Sequence, residues 1–278
     1  MAKVVVITGC SSGVGRSLAL QLARQGAEKF KVFATMRNPK SITPEGESLD
    51  NLVVSQLDVT SDESVNNFMK DLNQVDILVN NAGYAINGTH ETNSMETVKA
   101  QFETNFFGIV RLQQRVLPLM RAQKSGHLIA VSSVGGLLGV PFNDIYCATK
   151  FALEGLYESM ASLNLQLGIQ TTLIEPGAIN TSFVSNVDRP EADGMPEELR
   201  KPYEKYQAAM GAAFANSTAQ TADEVAEVIV KAINDGLETK ASLRYQTSPN
   251  AQKTASMKIV DTTGDSLVKG STARFFSQ

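Results

Sequence analysis

The chain has 278 residues, 42% hydrophobic and 19% charged, with a net charge of −4. That length fits one large domain with a substantial core, and a mildly acidic balance gives no electrostatic reason to expect nucleic acid. Cys10 and Cys147, the only cysteines, make no disulfide framework and lack metal-site spacing, so no metal is expected. The opening MAKVVVITG lacks the cationic lead and cleavage site of a signal peptide, and no apolar run reaches the ~20 residues of a membrane span. A soluble, cytoplasmic protein is expected, with peripheral membrane contact left open.

Short β-branched or apolar runs alternate with amphipathic segments along the chain. KVVVIT reads as a first strand and GVGRSLALQLARQG as a helix stopped at Gly26; KVFATM and LVVSQLD are the next strands. SDESVNNFMKDL opens a helix with an N-cap candidate and early acids, and VDILVN is a fourth strand. A long helix is expected from about Met95 to Arg121, kinked or ended early by Pro118. GHLIAVSS, a helix from about Asp144 to Leu167, and IQTTLIEP follow.

After LIEPG the pattern loosens. Residues 182–220 carry Pro190, Pro196 and Pro202, then a helical stripe of Tyr203, Tyr206, Met210 and Phe214, which either packs on the core or forms a lid over a substrate. TADEVAEVIVKAINDG is again helical, SLRYQ is a weaker strand, and the Ser/Thr-rich tail after Ser248 is expected to be irregular. Near-continuous apolar strands between helices indicate an α/β fold: one doubly wound parallel sheet with helices on both faces.

Two stretches carry chemistry. VVVITGCSSGVG places Thr8, Gly9, Gly13 and Gly15 where the first strand meets the first helix. Glycines there allow a tight turn, and the helix N-terminus offers free N–H groups to a pyrophosphate. DIYCATK sets Tyr146 and Lys150 one helical turn apart on a shared face. The pair is either a surface contact of no consequence or one in which the ammonium makes the phenol acidic enough for proton chemistry.

The glycine turn reads T-G-x-x-x-G-x-G, and with the Tyr/Lys pair it resembles the short-chain dehydrogenase/reductase family, over most of residues 3–181. The resemblance implies a single Rossmann-like domain over residues 1–278. It adds Asn105 in ETNFFG and Ser133 in AVSSVGG to Tyr146 and Lys150 as the catalytic set. Ser133 would polarise a carbonyl and Tyr146 would donate the proton, its pKa lowered by Lys150. Lys150 would also hold the nicotinamide ribose, and Asn105 a water leading to solvent.

The same resemblance assigns Ser11, Ser12 and Val14 to the dinucleotide with Thr8, Gly9, Gly13 and Gly15. It places Asp58 and Val59 at the adenine; Asn81, Ala82 and Gly83 of VNNAG either line the cleft or steady the sheet. Pro176 and Gly177 of EPGAINT match a turn, with Ile179 and Thr181 at the carboxamide and phosphates. The second strand ends in Met36 and Arg37 with no acid, and Ser12 can add a hydroxyl, so NADP(H) is favoured over NAD(H). An exposed Arg37 without a ligand is the alternative.

GVPFNDIYCATKFALEGLYES, SLRYQTSPN and TGDSLVKGSTARFF are similar to the subgroup of oestradiol 17β-dehydrogenase type 1 and photoreceptor all-trans-retinol dehydrogenase. In the oestradiol enzyme a His in the variable segment holds the steroid phenol, but residues 182–278 contain no His. The implied substrate is a hydrophobic small molecule, retinol/retinal first and a 17-ketosteroid second. A non-catalytic NADP(H)-binding sensor is the alternative from another class. Family precedent implies a homodimer or homotetramer formed through the long helices, with FALEGLYESMASLNL as the candidate surface.

Overall fold

Val5, Val6 and Ile7 are all fully buried, so both faces of strand β1 (Lys3–Thr8) are covered, as a parallel sheet between two helical layers requires. A computed structural model describes residues 1–180, 195–215, 219–266 and 268–269, the side chains of residues 210 and 212–215 excepted. The further strands are β2 (Phe30–Met36), β3 (Leu52–Gln56), β4 (Ile77–Asn80), β5 (Gly126–Val131), β6 (Ile169–Glu175) and β7 (Arg244–Gln246). All pair in parallel in the order β3-β2-β1-β4-β5-β6-β7. The order reverses between β1 and β4, which opens a crevice at the strands' C-terminal ends.

Helix α1 (Gly13–Ala23) stops before Gly26, whose φ of +103° suits glycine. Helix α2 (Asp62–Met69) starts at Ser61, whose hydroxyl accepts the Ser64 N–H at 3.2 Å. Helix α3 (Met95–Phe102) runs through a π-turn (Glu103–Phe107) into α4 (Gly108–Gln123). The early end expected at Pro118 does not occur. Gln114 and Pro118 are both exposed, so the turn that loses a backbone donor faces water.

Helix α5 (Asp144–Gln166) matches expectation, and residues 182–220 contain helix α6 (Glu197–Ala215). Helix α7 (Ala222–Leu237) begins with a reciprocal Thr221–Glu224 capping box. The tail departs from the irregular form expected of it: α8 (Pro249–Ser256) forms because Ser248 caps the Ala251 N–H at 3.1 Å and Ala251 and Ala255 are buried. One core layer packs Leu18, Leu22, Ile229 and Ile233 of α1 and α7 on Val5 and Ile7. The opposite layer packs Leu112, Val116, Leu153 and Tyr157 of α4 and α5 on Val6, Leu78 and Leu128.

His127 on β5 is 3% exposed, with Nε2 2.9 Å from Thr172 Oγ1 and Nδ1 without a partner among the described residues. Burial pushes its pKa from 6.5 down to about 3. The unfolded chain therefore takes up this proton first as pH falls. The contribution of neutral His127 is complete above pH 6.5 and is lost towards pH 3, at about 1.4 kcal/mol per pH unit. His127→Gln should flatten the acid side of the stability curve, which urea unfolding at pH 7 and pH 5 would measure; an unchanged slope would contradict it.

Candidate active site

The crevice holds a cleft of about 1430 Å³, wide enough for a dinucleotide and a second small molecule. At one end, Gly9 has φ +75° and a Cβ there would lie 2.8 Å from Ala82 Cα, so only glycine lets the β1–α1 turn lie against the exit of β4. Asn81 Nδ2 donates to the carbonyls of Thr8 (2.8 Å) and Gly9 (3.2 Å), while Thr8 Oγ1 accepts from the N–H groups of Asn81 and Ala82, both at 3.0 Å. Asn81 therefore steadies the sheet and also lines the cleft.

Two residues expected at the cofactor lie off the cleft wall. Thr8 is 2% exposed and lies behind the cleft wall as the zip between β1 and β4. Gly15 is also off the wall: a Cβ there would come within 2.5 Å of Asn81 Nδ2 and 2.6 Å of Gly9 O, so it allows α1 to approach the turn. Gly9, Ser11, Ser12, Gly13 and Val14 line the cleft around the N-terminus of α1, as do Ala82, Gly83, Pro176, Gly177 and Ile179. Thr181 lies outside the described residues.

Exposed Arg37, at the end of β2, lines the same wall with Asp58 and Val59. Asp58 Oδ1 accepts from Thr60 N at 2.9 Å and Thr60 Oγ1 at 2.7 Å, which fixes the carboxylate at the end of β3. This donor set fits a dinucleotide: helix N–H groups for the pyrophosphate, a carboxylate at the adenine end, and a cation beside the ribose.

At the other end the catalytic candidates converge. Ser133 follows β5, accepts the Gly135 N–H at 3.0 Å and hydrogen-bonds the Tyr146 phenol. Tyr146 stands in the first turn of α5. Lys150, one turn on, donates to Val131 O at 2.8 Å and lies 5.7 Å from the centre of the Tyr146 ring.

Asn105, in the π-turn and 1% exposed, sits behind the wall rather than on it. Its amide holds both Tyr84 O (2.9 Å) and Tyr84 N (3.1 Å) and reaches Thr149 Oγ1 at 3.2 Å. A methyl on Gly83 would lie 3.1 Å from Asn105 Oδ1 and 3.9 Å from Lys150 Nζ, so both side chains border Gly83.

The electrostatics differ from the expected lowering of the phenol pKa. Desolvation pushes Tyr146 up to about 12, with the Ser133 hydrogen bond pulling against it, and burial brings Lys150 down to about 8. Desolvation sets the direction, and Lys150 is not among the groups that shift the phenol. The site therefore favours a neutral phenol, the form that donates a proton.

Sequence reasoning passed over the far wall. Asn143, just before α5, accepts from Asn87 Nδ2 at 3.0 Å and donates to the Tyr206 hydroxyl at 2.6 Å. Tyr206 on α6 lines the cleft, while Tyr203 is buried against Phe142 and Met195. The stripe thus divides: Tyr203 packs, and Tyr206 packs beside it while also lining the cleft. The position of Asn143 between Pro141 and Tyr146 in the quoted motif was the available signal.

A doubly wound sheet whose crevice binds a dinucleotide beside a Ser–Tyr–Lys group defines a nicotinamide-dependent oxidoreductase acting on CH–OH groups. Residues 3–192 match the family model of the short chain dehydrogenases. Human retinol dehydrogenase 8 is 42% identical, covering 96% of this chain and 88% of that protein. Human 17-beta-hydroxysteroid dehydrogenase type 1 is 38% identical, covering 95% and 83%. A short-chain dehydrogenase structure from Streptomyces avermitilis aligns with a TM-score of 0.78 at 27% identity, covering 100% of this chain and 99% of that one. The chain belongs to the short-chain dehydrogenase/reductase family, in the subgroup that these two vertebrate enzymes define.

When bound, the nicotinamide supplies or accepts the hydride. The protein's part is to manage charge on the substrate oxygen. Ser133 Oγ–H can donate to that oxygen as negative charge develops, and Tyr146 Oη can deliver the proton. Lys150 sets a cation beneath the phenol, and Asn105 holds the Tyr84 segment and α5 together around it.

Proposed function

We propose that the protein interconverts a hydrophobic alcohol and its aldehyde or ketone with NADP(H), all-trans-retinol/retinal first. The observation that carries the substrate is the 42% identity to retinol dehydrogenase 8 across 96% of the chain. The cleft supports it: Tyr84, Val134, Val140, Ile179 and Tyr206 give the far wall an apolar surface beside Tyr146. A 17-ketosteroid is the second reading, on the 38% identity to the type 1 steroid enzyme. The lack of His in residues 182–278 removes the group that would hold a steroid phenol.

We assign residues 182–220 as a substrate-covering lid within the one domain; residues 182–194 and 216–218 and the side chains of Met210 and Phe214 lie outside the described residues. Assembly as a homodimer or homotetramer and a cytoplasmic location belong to the same reading. Exposed Phe151, Leu163 and Leu165 on α5 support the assembly. Purified protein incubated with NADPH and a panel of retinoids, steroids and small carbonyls, with product analysis, tests the substrate. Turnover of small hydrophilic carbonyls alone would refute it.

The cofactor choice rests on Arg37 and Ser12 lining the cleft where β2 ends without an acid. A charge-assisted hydrogen bond contributes about 1.5–3 kcal/mol, so Arg37→Asp should weaken NADPH binding by about 10- to 100-fold and reverse or abolish the preference. Fluorescence titration with NADPH and NADH checks this. Tighter NADH binding by the unmodified protein would overturn it.

A further inference from the structure

Behind Ser133, Tyr146 and Lys150 lies a charged cluster that the chemistry above does not use. The Arg244 guanidinium, at the start of β7, meets Glu175 at the end of β6 (2.9 Å), Glu154 on α5 (3.1 Å) and Glu158 one turn further along α5. Glu154 and Glu175 are buried, at 5% and 0% exposure, and Arg244 at 4%. The other Glu154 oxygen accepts the Ser132 hydroxyl at 2.5 Å, and Gln246 donates to Glu175 at 2.6 Å.

The cluster touches each element that carries a reacting group. Ser132 directly precedes Ser133, and Val131, one residue earlier, accepts from Lys150 Nζ. Lys150 and Glu154, one helical turn apart and both buried, thus grip consecutive residues at the end of β5. Glu175 precedes Pro176, whose carbonyl accepts the Val134 N–H at 2.9 Å. A buried ion cluster is by itself a weak source of stability, and burial holds Glu175 towards its neutral form, so the Arg244 charge is shared chiefly with Glu154 and Glu158. The buried cation one turn away is Lys150, which bonds to a carbonyl and feels the charge of Glu154.

We propose that Glu154, held by Arg244 and the Ser132 hydroxyl, is a positioning residue of the reaction: it supplies the counter-charge for the Lys150 ammonium and fixes the strand end that carries Ser133. Burial alone would discharge Lys150; Glu154 opposes that. Among the described residues, the charged groups facing Glu154 are Arg244 from β7, Glu175 from β6, and Lys150 and Glu158 from its own helix. Just past β5, Ser132 contributes an uncharged hydroxyl, and beside Lys150 stands the Tyr146 phenol.

The test is the pH dependence of NADPH binding between pH 6 and 10, followed by fluorescence, together with kcat on any carbonyl compound the wild-type protein reduces. Substrate identity does not enter, so the outcome is separate from the retinoid reading. Glu154→Gln should move the alkaline limb of both profiles down by about one pH unit, the low end of what one neighbouring charge does. Ser132→Ala, a small change that keeps the fold if Glu154→Gln does not, should move the limb the same way by less and lower kcat more than it raises KM. Thermal unfolding confirms that each variant is folded. Limbs that stay in place in folded variants, with kcat falling only with the folded fraction, would overturn the proposal.

Discussion

Tyr146→Phe is expected to lower kcat by at least about 100-fold while leaving NADPH binding nearly unchanged. The substitution keeps the ring that packs near Gly135 and the Lys150 ammonium, and removes the hydroxyl that Ser133 engages. Because desolvation holds the phenol up to about 12, the wild-type group is protonated across the neutral range and stands ready to donate. Steady-state rates with NADPH and a retinoid or steroid carbonyl measure the loss. Turnover surviving within a few-fold would assign the proton to another group, and weakened NADPH binding would mean that the ring had moved.

Arg244→Met should unfold the protein more readily, by about 3–5 kcal/mol, because it leaves buried carboxylates without their cation. The loss has a pH signature. Burial raises the Glu154 carboxyl above its usual 4.5 and Glu175 up to about 8. The unfolded chain therefore sheds these protons first, and stability falls as pH rises from about 4.5 through the folded values. Removing Arg244 takes away a charge that pulls both values down. The variant should be least impaired near pH 5 and most impaired near pH 9 in urea unfolding; a deficit independent of pH would point to lost packing instead.

The sheet was legible because doubly covered strands write their burial as continuous apolar runs, and the glycine stop of α1 and the cap of α2 are local signals. The edge strand β7 was faint, since only three residues pair. Helix α8 was missed because its buried face is two alanines, which leave almost no periodic signal. Within the site, residue types and spacing led to the Tyr146–Lys150 pair and the α1 turn, and the family resemblance added Ser133. Thr8 and Gly15 belong to the same motif, yet the sheet turns one towards β4 and packs the other on Asn81. Neighbours in a motif can face opposite sides of a wall, which the sequence does not record. The Glu154–Glu175–Arg244 group is scattered along the chain and joins only when β6 and β7 pair.

The π-turn at Glu103–Phe107 makes the length of its segment a functional quantity. Upstream of it Gln101 Nε2, and within it Asn105 Nδ2, both donate at 2.9 Å to the single carbonyl of Tyr84. Downstream, Leu112, Val116 and Met120 face the sheet core. The wide turn takes in one residue more than an ordinary α-turn, so α3 and α4 keep their phase while Asn105 is set apart from it. A residue removed between Phe106 and Gly108 would let the helices fuse in ordinary α geometry, and with α4 anchored in the core the change would fall on the turn that carries Asn105. Its amide would lose its aim at Tyr84 on the Lys150 side of the cleft, so the tolerated changes here should be exchanges of side chains at constant length.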